Sequence, residues 1–85
     1  KLNMAQNLLK NIKSYYFKRL VNLNSLILSL NYLNEIESES FLDFENLQEI
    51  ELNFNKFSII KSDYFSSLFN LKTLKLSNNL IETIM

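Results

Sequence analysis

The chain has no cysteine, no glycine, no proline and no histidine in its 85 residues. Without cysteine there is no disulfide, no thiolate metal site and no thiol nucleophile. Without histidine the usual general base and the commonest metal ligand are missing. Without glycine no phosphate-cradling loop can form in the usual way. Net charge is absent too. Nine Lys and Arg balance nine Asp and Glu, so composition gives no reason to expect a nucleic-acid or anionic-membrane partner. No apolar run approaches the roughly 18 residues of a membrane span. Residues 1–14 show neither a compact apolar stretch nor a small-residue cleavage site. The length admits one small domain.

What is abundant is Leu and Asn, 17 and 13 residues respectively. Tight turns made without Gly or Pro need a substitute, and Asn tolerates left-handed backbone best. The letters also repeat. Leu23, Leu47 and Leu71 are 24 residues apart, as are Leu26, Ile50 and Leu74. The same step links Met4, Leu28, Leu52 and Leu76, then Asn7, Asn31, Asn55 and Asn79, then Ile12, Ile36, Ile60 and Ile84. Phe17, Phe41 and Phe65 keep it as well, with no insertion or deletion anywhere. Fixed self-similarity at this period is the mark of a solenoid.

One unit reads L-x-x-L-x-L-x-x-N, standing as Leu23 to Asn31, Leu47 to Asn55 and Leu71 to Asn79. In this the chain resembles the leucine-rich repeat family. Its 24-residue unit, with Phe five positions after the last Ile, looks like the "typical" subclass of Toll-like receptors and small leucine-rich proteoglycans. That subclass usually has Pro where Lys13, Glu37 and Lys61 stand here. The resemblance implies an α/β-type repeat solenoid. It would be a right-handed coil with a short-stranded parallel sheet on its concave face and irregular or 3₁₀ returns on its convex side. Residues 1–85 read as one segment: a partial repeat at 1–22, repeats at 23–46 and 47–70, and a partial repeat at 71–85. Further coils or caps are expected at both ends.

Alternating L-x-L segments give strands near 1–5, 25–29, 49–53 and 73–77, each too short to be stable unless stacked. Asn7, Asn31, Asn55 and Asn79 fall where the chain turns inward, so their amides are expected to satisfy backbone groups there. The resemblance implies a structural Asn ladder between coils. Asn22, Asn46 and Asn70 suggest a second such column. Ser14, Ser38 and Ser62 read as turn or cap hydroxyls. Charge is blocked along the chain but interleaves once coiled. Lys13, Glu37 and Lys61 become neighbours, as do Arg19 with Asp43, and Glu51 with Lys75. Exposed pairs of this kind contribute only ~0–1 kcal/mol each.

Function in stacked repeats usually lies on the concave sheet. Ile27, Leu30 and Phe54 are apolar there although the repeat does not require it. They suggest an apolar anchor rimmed by Glu49, Glu51 and Lys75 that takes a protein ligand. The residues alone equally allow Leu30 and Phe54 to tuck over the edge of the core. No cofactor or metal site is indicated, because the carboxylates scatter around the coil. No enzyme activity is expected, with no base, nucleophile or cleft carboxylate pair. The subclass points to an extracellular or cell-surface receptor. The lack of any N-x-Ser/Thr acceptor among 13 Asn keeps a cytoplasmic adaptor or scaffold in view.

Overall fold

The computed structural model describes every residue from Lys1 to Met85. Its strands are β1 (Leu2–Asn3), β2 (Asn11–Ile12), β3 (Ser25–Ile27), β4 (Glu35–Ile36), β5 (Glu49–Glu51), β6 (Ile59–Ile60), β7 (Thr73–Lys75) and β8 (Thr83–Ile84). β1, β3, β5 and β7 make one parallel sheet in that order, the concave face of the coil. The only helical element is a 3₁₀ turn at Ser62–Tyr64, so the convex returns carry no α-helix. Every strand pairing joins residues 24 apart: Leu2 with Leu26, Leu26 with Ile50, Ile50 with Leu74. The sequence period is therefore the coil itself.

The strands are shorter than the alternation suggests, but their hydrogen bonds continue. The Leu28 and Leu52 amides donate to Glu51 and Lys75 carbonyls at 2.8 Å. Leu30 and Phe54 donate in turn to Asn53 and Ser77 at 3.0 and 2.9 Å. There the backbone enters the left-handed region and the sheet ends.

Each coil contributes the same columns to a single core. Leu26, Leu28, Ile50 and Leu52 point inward from the sheet and are fully buried. Leu33 and Phe57 follow the turn, and Ile12, Ile36 and Ile60 close the far side. Phe17, Phe41 and Phe44 fill the return, with Phe41 stacked on Phe44 at 5.6 Å and on Phe65 at 6.2 Å. Burying each such side chain stabilises the fold by about 1.5–3 kcal/mol.

The return side holds strands that the irregular-return expectation did not include. β2 pairs with β4, and β6 with β8, but nothing pairs β4 with β6. Glu37 donates to the Ile12 carbonyl and Met85 to that of Ile60, while no hydrogen bond joins residues 34–37 to residues 58–61. The two junctions differ in one column. Ser40, buried, gives its hydroxyl to the carbonyls of Glu37 and Ile12 at 2.7 and 3.5 Å. Its equivalent one coil later is Tyr64, also buried, whose ring lies 6.2 Å from that of Phe57. A phenol ring thus stands at the open junction where a hydroxymethyl stands at the paired one. A cleft of about 200 Å³ lies between β4 and β6, lined by Glu35, Ser58, Ile59, Lys61 and Tyr64 among others.

Three surface expectations need correction. The 3₁₀ turn follows Lys61 and has no side-chain cap. Ser38 instead donates its hydroxyl to Asp63 at 3.1 Å, and Ser14 offers its backbone N–H to Glu37 at 2.7 Å. Asp43 accepts from the backbone N–H of Arg19 at 2.9 Å rather than from its guanidinium. Arg19 has φ 67°, and this left-handed backbone aims the amide at the next coil. Glu37 pairs with Lys13 at 3.6 Å and makes no ion pair with Lys61.

Candidate functional site

Outward positions of the two inner strands, β3 and β5, are half-buried between their neighbours. Glu49 and Glu51 project from β5 and share one ammonium, Lys75 Nζ, at 3.9 and 3.2 Å. Glu49 also accepts the Ser25 hydroxyl at 3.1 Å. One negative charge therefore remains on this part of the face. Ile27 stands opposite Glu51 in the ladder.

Beyond the strands runs the column of ladder amides. Asn55 Oδ1 accepts the Leu33 N–H at 3.0 Å, and its Nδ2 donates to Leu28 and Leu52 carbonyls, both at 3.1 Å. Asn31 does the same with Leu9, Met4 and Leu28, and Asn79 with Phe57, Leu52 and Leu76. Each of the three thus ties its coil to the one before. Asn7 reaches only carbonyls of its own coil. Asn46 and Asn70 form the second column, donating to Val21 and Glu45 carbonyls. Asn31, Asn55 and Asn79 are engaged by backbone through both amide ends, which leaves them little capacity for a ligand.

The residue before each ladder Asn carries the decisive feature. Gln6, Leu30, Phe54 and Asn78 all have left-handed backbone, with φ between 57° and 61°. The coil imposes this geometry, and in a chain without Gly the Asn at 78 is the residue type that accepts it most readily. For Leu30 and Phe54 it costs roughly 1–2 kcal/mol apiece. Both side chains are nevertheless 45% and 52% exposed, so core burial does not offset that strain. Their coils have a neighbour on either side, so this exposure is not that of an uncovered end. Leu30 and Phe54 line a groove of about 280 Å³ together with Tyr32, Lys56 and Asn78.

The six candidate residues thus form two adjoining groups. Glu49, Glu51 and Lys75 make a charged cluster on the strands beside Ile27, and Leu30 and Phe54 form an apolar groove at the sheet rim. Sequence reasoning missed Tyr32 and Lys56, which complete that groove. No pattern in the letters marks these two, because their place in the groove follows from the shape of the turn.

A family model described as leucine-rich repeat matches residues 1–57 and again 45–85. The chain belongs to the leucine-rich repeat family. The two matches together span it from end to end, in agreement with the stacked parallel strands. Leucine-rich repeat domains are generally protein-interaction modules and typically not enzymes. No curated protein matches this sequence. No group of three or more acidic, His or Cys side chains is gathered as a metal site would require, and no helix is long and apolar enough to cross a membrane. One carboxyl has a shifted pKa: Glu37 is held below its usual value by the Ser14 N–H and, less strongly, by Lys13. It lies on the return side, away from the concave leucine-rich repeat face.

Proposed function

We propose that this leucine-rich repeat segment binds a protein partner on its concave sheet, with Ile27, Leu30, Glu49, Glu51, Phe54 and Lys75 in contact. The observation that supports this is the pair Leu30 and Phe54. They are poor choices for folding at their positions, by both backbone conformation and exposure, and good choices for a contact. The 24-residue unit with its Phe favours a place in a larger extracellular or cell-surface receptor engaged in signalling. A cytoplasmic adaptor is the second reading, favoured by the absence of any N-x-Ser/Thr acceptor. The sheet alone offers about 15 by 17 Å. That is less than the roughly 800 Å² per partner of a standard interface, so neighbouring coils would share the contact.

The experiment pairs a photo-reactive phenylalanine analogue at position 54 with one at position 69, where Phe69 is 91% exposed and lies outside the groove. Irradiation in cells of the source organism should give a discrete protein adduct from position 54 and none from 69. Leu30→Asn should abolish the adduct while raising stability in urea by about 0.5–1 kcal/mol, because Asn relieves the left-handed strain. Loss of stability in Leu30→Asn, with no adduct from position 54 in the parent chain, would mean that the groove is only a lid on the core.

A further inference from the structure

The strand β5 and the turn that follows it carry charge in a fixed order along the chain. On β5, Glu49 and Glu51 share the single cation Lys75. Next come the apolar walls, Leu30 and Phe54, with Tyr32 itself 49% exposed. Lys56 stands in the same groove and takes part in none of the three ion pairs of the molecule. Glu51 and Lys56 are separated by at most about 17 Å of extended chain. Along this line the surface therefore reads anion, apolar, cation.

We propose that the face receives an extended protein segment with a cation on one side of an apolar side chain and an anion on the other. The apolar group seats between Leu30, Tyr32 and Phe54. The cation lies against Glu49 and Glu51, and the anion against Lys56. This rests on the concave-sheet reading above and adds the chemistry of the partner. Alternate residues of an extended segment share a face about 6.8 Å apart. Three such positions, with long charged side chains at the outer two, span the available length. Apolar burial supplies most of the affinity, and the two charges fix orientation and reject wrong partners.

Three blocked peptides test it: Arg-Ser-Phe-Ser-Glu, Arg-Ser-Phe-Ser-Arg and Glu-Ser-Phe-Ser-Glu. Each is titrated into the full chain while NMR shifts of Leu30 methyls and the Phe54 ring are followed at low salt. The mixed peptide should bind several-fold more tightly than either like-charged one, by roughly three- to tenfold. Lys56→Glu, an exposed change that leaves the core untouched, should transfer the preference to the double-Arg peptide. Equal affinity of all three peptides at Leu30 and Phe54 would overturn the charge order and leave the apolar contact standing. No shift at either residue with any peptide would overturn both.

Discussion

The two long sides of this coil are held together by different means. On the concave side, backbone hydrogen bonds run unbroken through four strands, and the ladder amides extend them past the turn. On the return side the strands pair only two by two, and buried rings and aliphatic side chains span the break between the second and third coils. Stacking that rests on backbone leaves outward side chains free to vary, which is where a contact surface can be written. Stacking that rests on side chains constrains each of them, and the break falls where the column changes from Ser40 to Tyr64.

The return side is most vulnerable at Phe41. The ring is buried to 1% exposure and lies within 6.2 Å of Phe17, Phe44 and Phe65. Phe41→Ala should destabilise by about 3–5 kcal/mol, measured by urea unfolding. Thr73→Ala, on the concave sheet, should change stability by no more than about 0.5 kcal/mol. Similar losses from the two would show that the sides do not differ in what holds them.

The ladder sits at the boundary between the two regimes. Asn55→Ala would strand the buried Leu33 N–H and remove the amide's bonds to the Leu28 and Leu52 carbonyls. The expected loss is about 2–4 kcal/mol. Asn7→Ala, whose amide is exposed and bonds only within its own coil, should lose under about 1 kcal/mol. Equal losses would mean that bonding within a coil, not between coils, is what the column provides.

How much of this could be read from the letters follows the same division. The sheet, its register and its core columns were legible because they depend on period alone: identical spacing puts Leu26, Ile50 and Leu74 in line. The break between β4 and β6 was not, because it falls beside Tyr64, in a column the repeat leaves open. Ser40 and Tyr64 gave no pattern to follow. The rim groove was half legible. Leu30 and Phe54 stood out as apolar at positions free to vary, but their left-handed backbone, and Lys56 beside them, appear only once the turn has a shape. Pairing by column also misled at Arg19 and Asp43, since spacing fixes which residues are adjacent and not which atoms face each other.

Hydrogen exchange sharpens the contrast without any substitution. The Leu28 and Leu52 amides are locked into the concave ladder, whereas Ser58 and Lys61 have no backbone partner across the open cleft. Ser58 and Lys61 should exchange at least roughly tenfold faster than Leu28 and Leu52. Asn34 and Glu37, bonded to Lys10 and Ile12, should fall between. Equal protection at Lys61 and Glu37 would close the cleft and restore a continuous return sheet.

The smallest effect concerns acid, and it belongs to the return side. Glu37 accepts the Ser14 N–H at 2.7 Å and lies 3.6 Å from Lys13, and its pKa is lowered from an ordinary 4.5. A carboxyl with a folded pKa below its unfolded one binds its proton more readily when unfolded. Its contribution to stability is therefore complete above pH 4.5 and fades as pH falls through the folded value. Glu37→Gln should flatten the acid limb of a plot of melting temperature against pH slightly, with little change near neutrality. The Ser14 N–H is the larger cause and Lys13 the lesser, so Lys13→Met should leave most of that limb in place. If Lys13→Met flattens it as fully as Glu37→Gln, the ion pair and not the backbone hydrogen bond is what Glu37 contributes between these two coils.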